Sequence, residues 1–282
     1  MGSTALLCET VTATTMAGLL AARDASTDAD MVELRLDGVA AVNVDAALAG
    51  RRLPAVVTCR PVWEGGQYRG GEEERSALLA RALQLGAEYV DVEWRAIGEP
   101  STGFGRLLAA HRDRVVVSSH DFDGVPADLI QRARAMRETR AAVIKIAVAA
   151  SRLSDTLPLI EIGGEGDAVV IGMGDAGVPT RLLASRFGSR WTYAGNAAAP
   201  GQIPARMMVE HFRFREIGPH TAIYGVVGPD AVRSPAPAKY NAAFAADGVD
   251  AVCVPLAAAD SRDYETFAAA LSIAGQLQAE ID

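Results

Sequence analysis

Residues 141–150 read Ala-Ala-Val-Ile-Lys-Ile-Ala-Val-Ala-Ala, which sets Lys145 in an apolar, β-branched run with no carboxylate near it in sequence. Bounded by Arg140 and Ser151, the run predicts a buried strand of a parallel sheet. Desolvation disfavours an ammonium, and the neutral amine is a nucleophile able to form an imine with a ketone. The competing reading is a strand-end lysine that snorkels its head into water, the commoner arrangement for such a residue taken alone. Other reactive side chains shift the balance. His120 ends the run Val115-Val116-Val117-Ser118-Ser119, and with an ordinary pKa of about 6.5 it is a natural general acid or base, although a satisfied structural histidine fits the same position. His111, His211 and His220 lie in helix or linker contexts and read as surface residues.

Elements able to position these groups follow one another regularly. Short apolar runs span Ala5 to Cys8, Met31 to Leu36, Ala55 to Cys59, Tyr89 to Glu93, Val115 to Ser119, Val143 to Val148, Ala168 to Met173 and Trp191 to Ala194. Segments of helical spacing separate them, at Thr12 to Arg23, Val44 to Ala49, Glu72 to Leu85, Thr102 to His111, Ala127 to Arg137, Leu153 to Ile162 and Thr180 to Phe187, with one more at Pro204 to Phe212. Such alternation over about 215 residues fits a (β/α)8 barrel, usually about 250 residues long, though an open doubly wound sheet alternates in the same way.

The barrel makes the sharper prediction, because its chemistry belongs at the C-terminal ends of several strands. Reactive residues stand there: Glu33, Arg35 and Asp37; Arg60 followed by Trp63-Glu64-Gly65-Gly66; His120; Lys145; and Met173 with Arg181 shortly after. Glu33 and Arg35 alternate with Val32, Leu34 and Leu36, so they share one face, which in a closed barrel points inward, where charge needs a partner. The Gly65-Gly66 loop reads equally as a plain turn or as a lid. Gly172-Met173-Gly174-Asp175-Ala176-Gly177 matches G-x-G-x-x-G, but the next strand, Trp191 to Gly195, carries no acid to hold a ribose. A tight βα turn is therefore expected there.

Composition sets outer bounds. The 282-residue chain is half apolar with a net charge of -8 and a pI near 5.1, which argues against nucleic acid or an anionic membrane as the main partner. Cys8, Cys59 and Cys253 lie far apart without CxxC spacing, so a reduced, cytoplasmic setting is the default expectation. No signal-like opening or membrane-length apolar stretch is present, so an unexported, soluble chain is expected.

Taken together, Glu33-Leu34-Arg35-Leu36-Asp37, Thr58-Cys59-Arg60 with Trp63-Glu64-Gly65-Gly66, Ser119-His120-Asp121-Phe122, Ile144-Lys145-Ile146-Ala147 and Ala199-Pro200-Gly201-Gln202 resemble type I 3-dehydroquinate dehydratase in order and rough spacing. Each motif is weak alone, and the set is specific. The resemblance implies a (β/α)8 TIM barrel over residues 1–218, no metal or cofactor, a homodimer, and conversion of 3-dehydroquinate to 3-dehydroshikimate in the shikimate pathway. It also implies roles. Lys145 would form the imine, His120 would act as base and then acid, and Glu64 would hold the imidazole. Arg181 would pair with the substrate carboxylate. Glu33, Arg35 and Arg60 would hold ring hydroxyls, Gln202 would close over the substrate, and Met173 and Tyr193 would give apolar walls. Many members of that family have serine where this chain has Ala198, a loss of about 1 kcal/mol if one neutral hydrogen bond is missing.

Residues 219–282 form a predicted small α/β appendage. Tyr224-Gly225-Val226-Val227-Gly228, Ser234-Pro235, Asn241-Ala242-Ala243-Phe244 and Val252-Cys253-Val254-Pro255-Leu256 resemble the opening of shikimate dehydrogenase, as in plant-type bifunctional fusions. Its Ser-His-Ser segment is shortened here to Ala231-Val232-Arg233, and the sequence stops before an Asn-x-Thr-x-Pro-x-Lys segment, so no working dehydrogenase is expected. Helices are predicted near Ala236 to Asp247 and Tyr264 to Ala279. A sheet fragment of this kind leaves an edge and an apolar face, which predicts that it leans on the barrel or a second chain. Two alternatives stand beside the dehydratase: an idle barrel that senses a shikimate-pathway metabolite, and another lysine-imine lyase or aldolase. The residues from Arg60 to Gly66 and from Pro200 to Gln202 tell against the latter.

Overall fold

The computed structural model describes residues 5–99, 102–195 and 200–279. Eight parallel strands, β1 (Leu6–Val11), β2 (Met31–Arg35), β3 (Ala55–Thr58), β4 (Tyr89–Glu93), β5 (Val115–Asp121), β6 (Val143–Ala149), β7 (Ala168–Met173) and β8 (Trp191–Ala194), form one sheet in the order β7-β6-β5-β4-β3-β2-β1-β8. With helices between the strands this is the (β/α)8 barrel. β-Branched runs such as Val56-Val57 and Val115-Val116-Val117 are buried, as strands covered on both faces require.

The chain divides into two compact units, one of residues 7–120 and 130–146, the other of 1–6, 121–129 and 147–282. In the first, Thr10 lies beside Glu33, Arg35 beside Thr58, Thr58 beside Asp91, and Glu93 beside Ser118. That register puts polar residues of neighbouring strands side by side, and the pleat turns them to one face. Helices α1 (Met16–Ala25) and α2 (Val44–Leu48) start at side-chain caps, where Thr15 Oγ1 accepts from Gly18 N–H at 3.1 Å and Asn43 Oδ1 from Ala46 N–H at 2.9 Å. Helix α3 (Glu72–Gln84) has no side-chain cap, but Glu72, Glu73 and Glu74 complement the positive end of its dipole. The short α4 (Trp94–Ile97), α5 (Phe104–Ala110) and α6 (Leu129–Glu138) follow.

In the second unit, α7 (Leu157–Gly164), α8 (Val178–Leu182) and α9 (Ala205–Glu210) accompany β7 and β8. Ala150 N–H donates to Met173 O at 2.9 Å, Arg190 N–H to Ala168 O at 2.9 Å, and Leu6 N–H to Arg190 O at 3.0 Å. The Gly172–Gly177 turn is as tight as expected: a Cβ on Gly177 would stand 2.2 Å from the Gly172 carbonyl carbon, so only glycine lets strand and turn touch.

Residues after 219 form β9 (Ala222–Val227), α10 (Ala236–Ala246), β10 (Ala251–Leu256), α11 (Ser261–Leu271) and β11 (Gly275–Leu277), with parallel strands in the order β10-β9-β11. Buried Asn241 joins α10 to β10, its Nδ2 donating to Cys253 O at 2.8 Å and its Oδ1 accepting from Cys253 N–H at 2.7 Å. Helix α8 packs against β10, and Arg186 donates to Thr221 O at 2.6 Å, so this segment leans on barrel elements as expected. The helix predicted through Ala279 stops at Leu271. Ser272 takes a left-handed φ of 53° and Ala274 N–H bonds to Ile223 O at 2.7 Å, which turns the next residues into β11. No helix among the described residues is long and apolar enough to cross a membrane.

Candidate active site

Lys145 points into a buried charge network within the first unit. Its Nζ lies 3.1 Å from Asp91 Oδ2 and 3.2 Å from Glu33 Oε1. Glu33 also accepts from Thr58 Oγ1 at 2.9 Å and Thr10 Oγ1 at 3.3 Å. Arg60 spans the two acids of β4, with Nη2 2.9 Å from Asp91 Oδ2 and Nη1 2.8 Å from Glu93 Oε1, and it donates to Ser118 Oγ at 2.7 Å. Ser118 Oγ in turn donates a hydrogen bond to Asp91 Oδ1 at 2.6 Å. Glu93 is also paired with Arg75, a fully buried residue of α3. Three cations, Lys145, Arg60 and Arg75, thus face three anions, Glu33, Asp91 and Glu93. The balance makes burial tolerable, because each charge has partners that replace water.

Of these residues Lys145, Glu33 and Arg60 stand out in the sequence, whereas Asp91, Glu93 and Arg75 do not. No carboxylate is near Lys145 along the chain, but two lie beside it in space. The available signal was Tyr89-Val90-Asp91-Val92-Glu93, whose acids alternate with valines as Glu33 and Arg35 do with their neighbours.

His120 and Glu64 form a second pair. Glu64 Oε1 lies 3.2 Å from His120 Nδ1 and accepts the His120 backbone N–H at 3.0 Å. Desolvation, helped by the positive charges of Arg60 and Lys145, holds the imidazole well below its usual range. Burial pushes the Glu64 carboxyl up to about 7, against the pull of Arg60. A cavity of about 500 Å³ borders both residues, with Trp94, Arg95, Ser119 and Arg132 also on its wall. The loop that carries Glu64 is closed by Tyr68 N–H to Arg60 O at 3.0 Å, Val62 N–H to Tyr68 O at 3.2 Å and Gly66 N–H to Pro61 O at 2.9 Å. Gly66 is required, since a Cβ there would stand 2.0 Å from Arg60 O. Arg35 grips Asp37 through two bonds of 2.9 Å, and Asp37 accepts Gln67 N–H at 3.1 Å, tying the same loop to the end of β2.

The remaining predicted site residues belong to the second unit. Arg181 is buried, donating to Tyr193 O at 3.4 Å and Pro200 O at 3.2 Å. Its Nε has no hydrogen-bond partner among the described residues, and desolvation lowers the guanidinium to about 10, so it stays charged at neutral pH. Met173 and Tyr193 are buried, and Gln202 lies against Gly195, where an added Cβ would meet Gln202 Oε1 at 2.9 Å. Ala198 and Ala199 lie outside the described residues.

A buried amine and a histidine–carboxylate pair on one barrel are groups of the kind that acid–base chemistry on a carbonyl compound uses. Residues 7–219 match the family described as type I 3-dehydroquinase. The chain is 34% identical over 243 residues to the chloroplastic bifunctional 3-dehydroquinate dehydratase/shikimate dehydrogenase of Arabidopsis thaliana, a match covering 81% of this chain and 40% of that protein. It is 30% identical to 3-dehydroquinate dehydratase of Methanocaldococcus jannaschii, covering 67% of this chain and 89% of the relative. The crystal structure of 3-dehydroquinate dehydratase from Geobacillus kaustophilus superposes with a TM-score of 0.64 at 28% identity, over 73% of this chain and 90% of that one. The chain belongs to the type I 3-dehydroquinase family, and dehydration of 3-dehydroquinate is the reaction that membership supports.

Proposed function

We propose that this chain converts 3-dehydroquinate to 3-dehydroshikimate through an imine on Lys145. The observation that carries the reading is the buried Lys145 amine, held by Glu33 and Asp91, within electrostatic reach of the His120–Glu64 pair. An ammonium is no nucleophile, so Lys145 loses a proton before it attacks the C3 ketone, and a proton returned to the carbinolamine hydroxyl lets that oxygen leave as water. The iminium then draws electrons from the C2–H bond. His120 takes that proton and returns it to the C1 hydroxyl, which departs as water, and hydrolysis of the imine frees product and lysine. Glu64, as carboxylate, keeps the proton on Nδ1 so that Nε2 faces the reaction.

Substrate binding is assigned on the family resemblance. Arg181 takes the carboxylate; its lack of an acidic partner in the described structure supports that role. Arg35, Arg60 and Glu33 hold ring hydroxyls, Gln202 closes over the substrate, and Met173 and Tyr193 supply apolar walls. Residues 219–282 are assigned as a segment like the start of shikimate dehydrogenase, following a barrel domain of residues 1–218. The parallel β-α-β-α-β pattern supports that assignment. A homodimer in a reducing, cytoplasmic setting completes the reading; three buried free thiols fit that setting.

Borohydride trapping tests it. Addition of 3-dehydroquinate and borohydride is expected to give an adduct that peptide mass spectrometry maps to Lys145, with enone absorbance appearing when borohydride is omitted, and Lys145→Ala is expected to lose both. Binding without adduct or enone would replace the lyase with the metabolite-sensing barrel.

A further inference from the structure

The carboxylate of Asp263, in the third position of α11, is buried and serves the N-terminal ends of two helices at once. On its own helix, Oδ2 accepts Ala259 N–H at 3.0 Å, while Asp263 N–H donates to the N-cap Asp260 Oδ1 at 2.8 Å. Across the unit, the same carboxylate accepts Leu153 N–H at 3.0 Å and Ser154 N–H at 2.9 Å. Those amides open the 3-10 turn Leu153–Thr156 that leads into α7. Free N–H groups at a helix start need an acceptor, and an anion is the strongest one. Desolvation drives the Asp263 carboxyl up, but the backbone donors outweigh it and hold the group below its ordinary value.

The turn held in this way follows β6, the strand that carries Lys145. Just before it, Ala149, Ala150 and Ser151 line a cavity of about 230 Å³ together with Met173 and Pro200. Ser151 N–H and Arg152 N–H both donate to Asp155 Oδ2 at 2.9 Å, so residues 151–155 form one knotted loop. Asp263 fastens that loop from outside. Exposed Arg152 adds an ion pair to Asp260 at 2.7 Å, a minor contribution beside the buried bonds.

We propose that the segment after residue 219 is a working part of the enzyme, and that Asp263 is a positioning residue that fixes the β6–α7 loop and with it one wall of the cavity beside Met173 and Pro200, which we assign to substrate binding. The link to substrate rests on the dehydratase reading above; the link to the loop does not.

The test compares Asp263→Ala and Asp263→Asn with wild type in the full chain. Hydrogen–deuterium exchange of peptides covering residues 150–157 is the first readout, and KM and kcat for 3-dehydroquinate are the second. Loss of bonds to a buried anion is expected to speed exchange in that segment by about tenfold or more. KM should rise several-fold while kcat changes little, the split expected of a wall that binds rather than a group that reacts. Asp263→Asn preserves shape and keeps the comparison usable if the alanine variant folds poorly. Asp260→Ala, which loses the surface pair and the α11 cap, is expected to affect the loop far less. Unchanged exchange in both Asp263 variants would overturn the brace, and faster exchange with unchanged KM would overturn its role in substrate binding. Wild-type protein without enone formation would sink the dehydratase reading and with it the substrate role, while exchange would still decide the brace.

Discussion

Lys145 and Arg60 share a single oxygen: Asp91 Oδ2 lies 3.1 Å from the lysine Nζ and 2.9 Å from the arginine Nη2. The sharing follows from strand register, because Thr58 stands beside Asp91 and the chain continues two residues beyond Thr58 to Arg60 on the same side. Asp91 therefore sets the place of the amine and of the guanidinium together. The positive charges of Arg60 and Lys145, with His120 nearby, hold its carboxyl far below the ordinary range despite complete burial.

Asp91→Asn removes the anion that the two cations share and leaves Lys145 with Glu33 alone and Arg60 with Glu93. Breaking a buried pair from one side costs about 3–5 kcal/mol. The expected result is a lower urea midpoint with an unchanged slope, and a fall in borohydride-trapped adduct. Asp91→Asn with wild-type stability and trapping would show that the shared oxygen is dispensable.

Glu64 predicts the acid limb of the pH profile. Its carboxyl is raised to about 7 by burial, so it gains a proton as pH falls through that value. Protonated Glu64 no longer accepts from His120 Nδ1, so the tautomer that the proposed mechanism needs, with Nε2 as base, loses its support. kcat/KM is expected to drop below pH 7 in wild type. In Glu64→Gln it should be low throughout, with that limb absent. A wild-type limb near the ordinary carboxylate pKa would contradict the assignment.

Trp63 links the Glu64 loop to the buried network. The Arg95 guanidinium sits 5.2 Å from its ring and that of Arg75 5.9 Å, while Trp63 Nε1 donates to Glu72 Oε1 at 3.4 Å. A cation–π contact at a half-exposed site contributes about 0.5–1 kcal/mol. Trp63→Ala is expected to cost roughly twice that by urea unfolding, with a several-fold lower kcat because Glu64 is the next residue; Trp63→Phe should recover most of both. Equal kcat in Trp63→Ala and wild type would sever Trp63 from the base.

How much of this was legible depended on whether the deciding contact was local. β4, β7 and β8 are bounded where the apolar runs end, because a strand covered on both faces writes its burial directly into sequence. Lys145 stood out as a charge inside an apolar run, His120 as a polar group near a strand end, and Glu64 as an acid in the loop after β3. Asp91 and Glu93 did not, since their partners Arg60, Lys145 and Arg75 come from β3, β6 and α3, and only register brings them together. β11 was hidden for a like reason: Ala and Leu at helical spacing continue past Leu271, and the bond from Ala274 to β9 overrides them. Asp263 reads as an ordinary first-turn acid until the loop at Leu153 is seen beside it.

Arg181 gives the most direct test of substrate binding. Its guanidinium is buried, charged at neutral pH, and donates to the carbonyls of Tyr193 and Pro200, with no partner for Nε among the described residues. A substrate carboxylate would supply the missing acceptor through two parallel bonds, which a planar fork makes and an ammonium does not. Arg181→Lys keeps the charge and loses the fork; KM is expected to rise about tenfold, the equivalent of about 1.4 kcal/mol, with kcat within a few-fold of wild type. Arg181→Met loses the charge as well and should raise KM further. Because an unpaired buried cation destabilises the free protein, Arg181→Met is also expected to unfold at equal or higher urea than wild type, the opposite sign from its effect on KM. A residue that served only to hold Tyr193 and Pro200 would lower stability and leave KM alone.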